Sequence, residues 1–469
     1  MALHRWRNAL STRVAVIAAL AAVICGAIAL AATGSSRADG GVTTNTGTLP
    51  DGATYRIQVP NPWNGTLLLY SHGYVVPGSS NPAQDVGDPL TGQYLLDHGY
   101  ALAGSSYATT GWAIQQAIPD QIATLDTFDS LVGTPTRTIA WGHSLGGMIT
   151  AGLMQDDPSR FAGALPMCGV LAGGVATWNQ GLDAEFAIQQ LLAPPGSTLQ
   201  VVHITNPFAN LGTAEAVMGA AQQTPQGRAR LALAGALGDL PGWFTTGSPE
   251  PAPTDYQTQE LNQFKWETQV DGPFLFAFRA ELEARAGGNP SWNTGVNYWE
   301  QLENSIDFRE VRALYAQAGL SLAADIRTLN SAPRISADPN AVSYVTGNIV
   351  YNGNLDDKPV LTMHTTGDGL VANQDEQAYA SVVRDARDER FLRQVFVHRA
   401  GHCAFTPAET ITALQALIQR IDTGHWRGID PTDFNASAAT LGTTLNTAPP
   451  AFLPYEPTPF LRPFDLGRH

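Results

Sequence analysis

Cysteine is scarce in this sequence: the chain of 469 residues contains three cysteines, and no two of them have the short spacing of a zinc site. The H-E-x-x-H pattern of helical metal sites is also missing. No segment repeats along the chain, which excludes the solenoid and propeller architectures. We therefore expect a protein without a metal site, built around an ordinary apolar core.

Basic residues are also few, because 26 Lys and Arg stand against 41 Asp and Glu and give a net charge of −15. A surface this acidic repels nucleic acids and anionic membranes, so we expect neither as a partner. The apolar fraction of 44% suits a packed globular protein. The length fits one large core that carries an insertion.

Long hydrophobic runs are absent except near the N-terminus, where residues 14–32 are apolar and follow Arg5, Arg7 and Arg13. This pattern predicts a signal peptide over residues 1–38, cleaved after Ala31 or Ala38, and a mature protein that is exported. A permanent membrane anchor is the alternative. After cleavage we expect no stable membrane partner.

Short apolar runs alternate with helical segments through much of the chain, which predicts an α/β fold with a mainly parallel sheet. The candidate strands are residues 54–59, 66–70, 100–105, 136–141, 163–167, 360–364 and 394–398. Residues 39–169 and 356–425 form the two parts of this core. Helical patterns fill residues 170–355, a predicted cap insertion, with a helix start at Thr224-Pro225 and a stop at Gly287-Gly288. Residues 426–469 are rich in Pro, and we expect an ordered tail on the surface.

The strongest chemical signal is Gly142-His143-Ser144-Leu145-Gly146, which lies between an apolar strand and a helix of small residues. A serine in this strand-turn-helix context is the nucleophile of a tight elbow, where flanking glycines let strand and helix approach closely. The helix N-terminus then directs free N–H groups at the reaction centre. A glycine-rich turn without catalytic function is the alternative.

A serine nucleophile needs a base and a carboxylate that orients the base. His402 is the candidate base, because it follows the last predicted core strand and precedes a helix start at Thr406-Pro407. Asp368 is the candidate acid, at the carboxyl end of the strand before it, where groups of open α/β sheets converge. Asp356, Asp357 and Asp375 are its rivals, and the other histidines fit structural positions better.

The oxyanion that forms during acyl transfer needs two N–H donors. We expect one from Leu145, directly after the nucleophile, and one from Tyr74, in the loop Ser71-His72-Gly73-Tyr74 after an early strand. His72 is expected to hold this loop rather than to react.

With Ser144, Asp368 and His402 in this order, and His72-Gly73 after an early strand, the chain resembles the α/β-hydrolase superfamily. The resemblance covers residues 54–423 apart from the cap. It implies an eight-stranded, mainly parallel sheet with helices on both faces, acyl-enzyme chemistry and no cofactor. The pair His402-Cys403 is also similar to the feruloyl esterase and tannase group, where this cysteine is bonded to one beside the serine. This chain departs from that pattern, because position 143 is histidine.

A disulfide between Cys168 and Cys403 is predicted from the export signal and from position. The mature chain keeps these two cysteines, and both follow strands at the carboxyl edge of the predicted sheet. Two buried, unbonded thiols are the alternative.

The expected function is the hydrolysis of carboxylic esters, small or polymeric, outside the cell. A serine aminopeptidase with the same three residues is the second option, and it would hold a free amine with a cap acid such as Asp183, Glu185 or Glu281. A binding protein on this fold is a third, disfavoured because the three residues are all present. Nine cap aromatics either line an apolar pocket or form the core of the cap: Trp178, Trp243, Trp266, Trp292, Trp299, Phe264, Phe274, Phe276 and Phe278.

Overall fold

The computed structural model describes residues 41–464, and the predicted signal peptide of residues 1–38 lies outside the described residues. Within the described range no helix has both the length and the apolar character needed to span a bilayer.

One sheet organises the molecule. Its strands are β1 (Val42–Thr48), β2 (Thr54–Pro60), β3 (Thr66–Ser71), β4 (Ala101–Ser105), β5 (Arg137–His143), β6 (Gly163–Met167), β7 (Val360–Gly367), β8 (Leu392–Ala400) and β9 (Phe452–Leu453). Their order is β1-β2-β4-β3-β5-β6-β7-β8-β9. The six strands from β4 to β8 are parallel, while β1, β2 and β9 pair antiparallel with their neighbours. The architecture is the predicted α/β-hydrolase fold.

The expected number of eight strands is wrong, because the described chain forms nine. The additional strand β9 belongs to the predicted tail, and it pairs with the edge of β8 while Phe452 becomes 5% exposed. Strand β1 was absent from the candidate strands because its sequence, VTTNTGT, is polar and mostly exposed. Edge strands of this kind lack the apolar signal that marks a buried strand.

Helices cover both faces of the sheet. In chain order they are α1 (Pro89–Asp97), α2 (Ile114–Leu131), α3 (Leu145–Asp156), α4 (Gly174–Leu192), α5 (Pro207–Ala221), α6 (Pro225–Leu237), α7 (Tyr256–Trp266), α8 (Arg279–Ala286), α9 (Tyr298–Asn304), α10 (Phe308–Ala318), α11 (Leu322–Ser331), α12 (Pro339–Asn348), α13 (Gln374–Asp385), α14 (Pro407–Thr423) and α15 (Pro431–Thr440). Leu67 and Leu69 of β3 pack with α2, α3 and α13, whereas Leu68 and Tyr70 pack with α1 and α14. This alternation follows from the two-residue period of a strand.

Helices α4 to α12 lie between β6 and β7, in the segment predicted as a cap. Most of them share an apolar core of their own, which includes Leu182, Leu233 and Tyr298, whereas α8 and α12 pack against the core beside the sheet. Thr224 caps α6 with its side chain and Gly287 ends α8 in the left-handed region, so both predicted helix signals are confirmed. The domain boundaries themselves stay a prediction.

Two π-helical segments, Glu267–Asp271 and Phe274–Phe278, join α7 to α8 as one continuous helical stretch. Such wide turns are rare and occur often at functional sites.

The tail was expected to lie on the surface, but part of it is buried in the molecule. It contains α15, and beyond β9 it buries Arg462, which donates to both carboxylate oxygens of Asp183 in the cap. Residues that are 279 positions apart in sequence are thereby joined.

Candidate active site

Ser144 occupies the sharp turn between β5 and α3, with φ of 59° and ψ of −127°. A non-glycine residue at positive φ is strained, and such strain is typical of functional turns. A Cβ at Gly142 or Gly146 would overlap the carbonyl oxygen of Ser71 in β3. Both glycines are therefore required by the close passage of strand and helix, as the motif predicted.

The structure brings the predicted nucleophile, base and acid together. Ser144 Oγ lies 2.8 Å from His402 Nε2, and His402 Nδ1 lies 2.8 Å from Asp368 Oδ2. His402 is in the loop between β8 and α14, and Asp368 directly follows β7. All three side chains are buried or nearly so.

The rival carboxylates are engaged elsewhere. Asp357 forms an exposed ion pair with Arg390, with an N–O distance of 2.8 Å. The carboxylate of Asp375 accepts a hydrogen bond from the Ala172 N–H at 2.9 Å. Asp356, like Asp357, lies in the turn before β7. The geometry thus favours Asp368 among the four candidates.

Asp368 is held as an anion by its surroundings. Its Oδ1 accepts hydrogen bonds from the N–H groups of Leu370 and Val371, at 3.0 and 3.1 Å. Burial alone would raise the pKa of this carboxyl, but the neighbouring rings of His402 and His364 lower it to about 2. The group therefore stays ionised wherever the protein is folded near neutral pH.

His364 and Glu376 are two site residues that sequence reasoning missed. The buried His364 ring directs Nδ1 at Glu376 Oε1, 3.2 Å away, and Nε2 at the carbonyl oxygen of Val371, 3.0 Å away. Burial would lower the pKa of His364, but the carboxylates of Asp368 and Glu376 raise it to about 10. The sequence offered one signal, the spacing of four residues between His364 and Asp368. This spacing gains significance in the folded structure, where Glu376 of α13 contacts the same His364 ring.

The two expected oxyanion donors lie beside Ser144. Within residues 41–464 neither the Tyr74 N–H nor the Leu145 N–H donates a hydrogen bond, so both are free for a ligand. Gly73 packs against Ser144, since a Cβ at Gly73 would stand 3.3 Å from Ser144 Cβ. His72 stacks on Tyr107 with a centroid distance of 4.0 Å and contacts the Gly73 carbonyl oxygen at 2.7 Å. This ring supports the loop.

Comparison with known proteins places the chain among its relatives. No family model matches it. The curated o-phthalyl amidase of Xanthobacter agilis is 31% identical over 427 residues, which are 85% of this chain and 91% of the amidase. The chain belongs to the family of this amidase, within the α/β-hydrolase superfamily. It is a hydrolase.

Solved structures resemble the hydrolase at low sequence identity. Feruloyl esterase B from Aspergillus oryzae is 14% identical, with a TM-score of 0.39 over 82% of this chain and 81% of the esterase. Another esterase from Aspergillus oryzae is 13% identical, with a TM-score of 0.43 over 82% of this chain and 80% of its own. Similarities of this size say nothing about the substrate of the hydrolase.

The hydrolase contains the expected disulfide between Cys168 and Cys403, whose Cα atoms are 5.4 Å apart. Cys168 directly follows β6 and Cys403 adjoins His402, so the bond joins the histidine loop to the end of β6. Cys403 Sγ lies 3.3 Å from His402 Nε2. These two sulfurs and the His402 ring are close enough to suggest a metal site. Because both sulfurs are bonded to each other, they offer no thiolate ligand.

His143, which follows the first glycine of the elbow, packs between Tyr70 and Phe405. Its Nδ1 lies 3.2 Å from the Tyr70 hydroxyl. Burial, with the nearby His402, lowers the pKa of His143 to about 4, so its ring is neutral at physiological pH.

A cavity of about 1000 Å³, counted with its open mouth, lies over Ser144 in the hydrolase; we call it the Ser144 cavity. Tyr74 and Leu145 line it together with three of the predicted cap aromatics, Trp178, Phe274 and Phe276. Other cap aromatics, such as Phe264 and Trp299, pack on the apolar core of the cap instead. Some of the cap aromatics thus line the pocket and others form part of the core of the cap, so each of these two expectations holds for part of the group.

The acids expected to hold a free amine are already paired with arginine in the hydrolase. Asp183 pairs with Arg462 at 2.9 Å, Glu185 with Arg279 at 2.5 Å, and Glu281 with Arg285. Each carboxylate therefore has its counter-charge within the protein, and none of the three is free for a ligand.

Proposed function

We propose that the hydrolase cleaves carboxylic acyl bonds through an acyl-enzyme formed on Ser144. The observation that carries this proposal is the aligned pair of contacts, each 2.8 Å long, from Ser144 Oγ to His402 Nε2 and from His402 Nδ1 to Asp368 Oδ2. These distances lie within hydrogen-bond reach, which a nucleophile and its base require.

In the first half-reaction Ser144 Oγ attacks the acyl carbon and His402 Nε2 takes the hydroxyl proton. The bond from the acyl carbon to the leaving group then breaks, and His402 gives its proton to the departing alcohol or amine. In the second half-reaction water attacks the acyl-enzyme and gives a proton to His402. That proton returns to Ser144 Oγ when the acid product leaves.

Charge that develops on the acyl oxygen is expected to meet the free N–H groups of Tyr74 and Leu145. The N-terminus of α3, where Leu145 is the first residue, adds the positive end of the helix dipole. Asp368 orients the His402 ring and stabilises its protonated form without taking the proton.

The proposed substrate is a carboxylic ester. The apolar part of the Ser144 cavity, with Trp178, Phe274 and Phe276, favours an acyl group with aliphatic or aromatic surface. Action outside the cell belongs to the same proposal, because residues 1–38 have the signal-peptide pattern and a disulfide suits an oxidising compartment.

Amide hydrolysis is the second candidate function, favoured by the relative named o-phthalyl amidase. The chemistry on Ser144 would be the same, with His402 protonating an amine as it leaves. The geometry of nucleophile and base does not separate the two bond types.

A panel of substrates tests the proposal directly. Purified hydrolase is offered 4-nitrophenyl esters of increasing chain length, the matching 4-nitroanilides and an o-phthalyl amide, with Ser144→Ala prepared in parallel. We expect turnover of the esters by the wild type alone. Turnover of the o-phthalyl amide in preference to every ester would favour the second candidate, and equal rates with Ser144→Ala would contradict both.

A further inference from the structure

Two acids that the sequence did not single out line the Ser144 cavity. Glu267 and Asp271 are the first and last residues of the π-helical segment after α7, and they are 4% and 7% exposed. The preceding Trp266 packs on Gly369, next to Asp368. We call Glu267 and Asp271 the acid pair. It lies on the cap wall, close to the reaction centre.

The acid pair has no partner in the part of the chain that the structure describes. Both Glu267 carboxylate oxygens and Asp271 Oδ2 are buried without a hydrogen bond. No Lys, Arg or His is among the described residues that line the cavity. Asp183, Glu185 and Glu281 differ in this respect, because each of them has an arginine.

Buried carboxylates without a counter-charge are costly, so proteins pair them, bind a cation with them or leave them protonated. Burial raises the pKa of Glu267, and the neighbouring charges of Glu260 and Asp271 raise it further. Burial also raises the pKa of Asp271, with a contribution from Asp368. No cationic side chain lines the cavity beside the acid pair in the described structure. A cation in the cavity would therefore stabilise the ionised form of both carboxyls.

We propose that the acid pair binds a protonated amine of the substrate, so that the hydrolase prefers acyl compounds that carry an ammonium group. This inference rests on the proposed function, because the same cavity contains Ser144. An ammonium group supplies three N–H donors, enough to contact both carboxylates at once. The apolar wall that includes Phe274 and Trp178 then contacts the carbon chain between the ammonium and the acyl group.

Three 4-nitrophenyl esters of equal length measure this preference: 6-aminohexanoate, heptanoate and the pimelate monoester, which end in ammonium, methyl and carboxylate. We expect kcat/KM for the ammonium ester to exceed that for the methyl ester by roughly 10- to 100-fold, the range of a hydrogen bond to a charged group. The carboxylate ester should be the slowest. Equal rates for ammonium and methyl, or a preference for carboxylate, would overturn the inference.

Isosteric variants connect the preference to the acid pair. Glu267→Gln and Asp271→Asn should each reduce the ratio of ammonium to methyl kcat/KM by about tenfold or more. Glu310→Gln is the matched control: Glu310 is also a buried cap acid, but it accepts a hydrogen bond from Gln263 and does not line the cavity. It should keep the wild-type ratio. An unchanged ratio in both acid-pair variants would contradict the assignment.

Binding to Ser144→Ala separates this inference from the proposed function. Calorimetry with hexylammonium and with hexanol measures how tightly each ligand binds in the cavity, without turnover. We expect the ammonium to bind at least about tenfold more tightly. The preference should disappear in Ser144→Ala combined with Glu267→Gln. Hydrolysis by the wild type without this binding preference would overturn the amine site alone. Preferential binding without any Ser144-dependent hydrolysis would overturn the proposed function and leave the amine site standing.

Discussion

His364 Nε2 lies 3.5 Å from Asp368 Oδ2, the same carboxylate oxygen that His402 Nδ1 contacts at 2.8 Å. Asp368 is therefore located between two imidazole rings, one facing Ser144 and one facing away from it. Glu376 supports the rear ring, and its own Oε2 accepts a hydrogen bond from Gln394 at 2.6 Å. The result is a buried array from Glu376 through His364 and Asp368 to His402.

His364 is a positioning residue in this account, because it acts on Asp368 and not on the substrate. His364→Gln removes the charged ring that lies 3.5 Å from Asp368 and should lower kcat by roughly tenfold, with little change in KM. Since this variant leaves Glu376 buried without its cation, His364→Gln combined with Glu376→Gln serves as a second test. Steady-state kinetics on one ester checks both, and wild-type kcat in each would contradict the role.

The pH dependence of stability should report the same imidazole. The folded protein raises the pKa of His364 from 6.5 to about 10, so the folded state binds more protons than the unfolded state between these values. The stabilisation is complete below about pH 6.5 and is lost as pH rises toward 10. Denaturant unfolding of wild type and His364→Gln compares the slopes. The wild type should lose more stability over this window, and parallel profiles would contradict the charged state of His364.

Asp368→Asn should reduce kcat by on the order of 10⁴-fold, because an amide favours the wrong tautomer of His402. Asp357→Asn is the control, since Asp357 pairs with Arg390 at the surface. It should keep wild-type kinetics. If the control were the crippled variant, Asp368 could not be the acid.

The disulfide should matter for rate as well as for stability. Replacing Cys168 and Cys403 together by alanine frees the histidine loop, and a displacement of about 1 Å at His402 can lower kcat by roughly 100-fold. Loss of a cross-link that spans 235 residues lowers the free energy of unfolding by up to about 5 kcal/mol. Kinetics and denaturant unfolding measure the two effects. Two alkylatable thiols in the unreduced mature wild type would contradict the bond itself.

Local sequence was sufficient to predict much of the geometry of the candidate site. The elbow around Ser144 depends on residues within one turn, and the order of Asp368 and His402 along the strands places both at one sheet edge. The loop expected to hold the second oxyanion donor was located in the same way, because His72 to Tyr74 directly follow the apolar strand β3. Each of these features depends on neighbours in sequence.

Three features that depend on distant contacts were not predicted from the sequence. No local sequence pattern distinguishes Glu267 from Glu260. Glu267 lines the cavity because of the way the helices of the cap pack together. The sequence suggested that Asp183 could hold a ligand, but in the structure Arg462 of the tail donates a hydrogen bond to its carboxylate. Strand β1 has no apolar period, and it exists because its backbone pairs with β2 over seven residues. In each case the deciding partner is far away in the chain or lacks a pattern of its own.

The central claim is that Ser144 is the nucleophile, and labelling by a fluorophosphonate probe tests it most directly. We predict that one probe molecule attaches to Ser144, identified by peptide mass spectrometry, and that hydrolysis stops as labelling proceeds. Ser144→Ala should resist the probe and lose about 10⁶-fold in kcat while unfolding like the wild type. Labelling at another residue, or an alanine variant that stays active, would contradict the account.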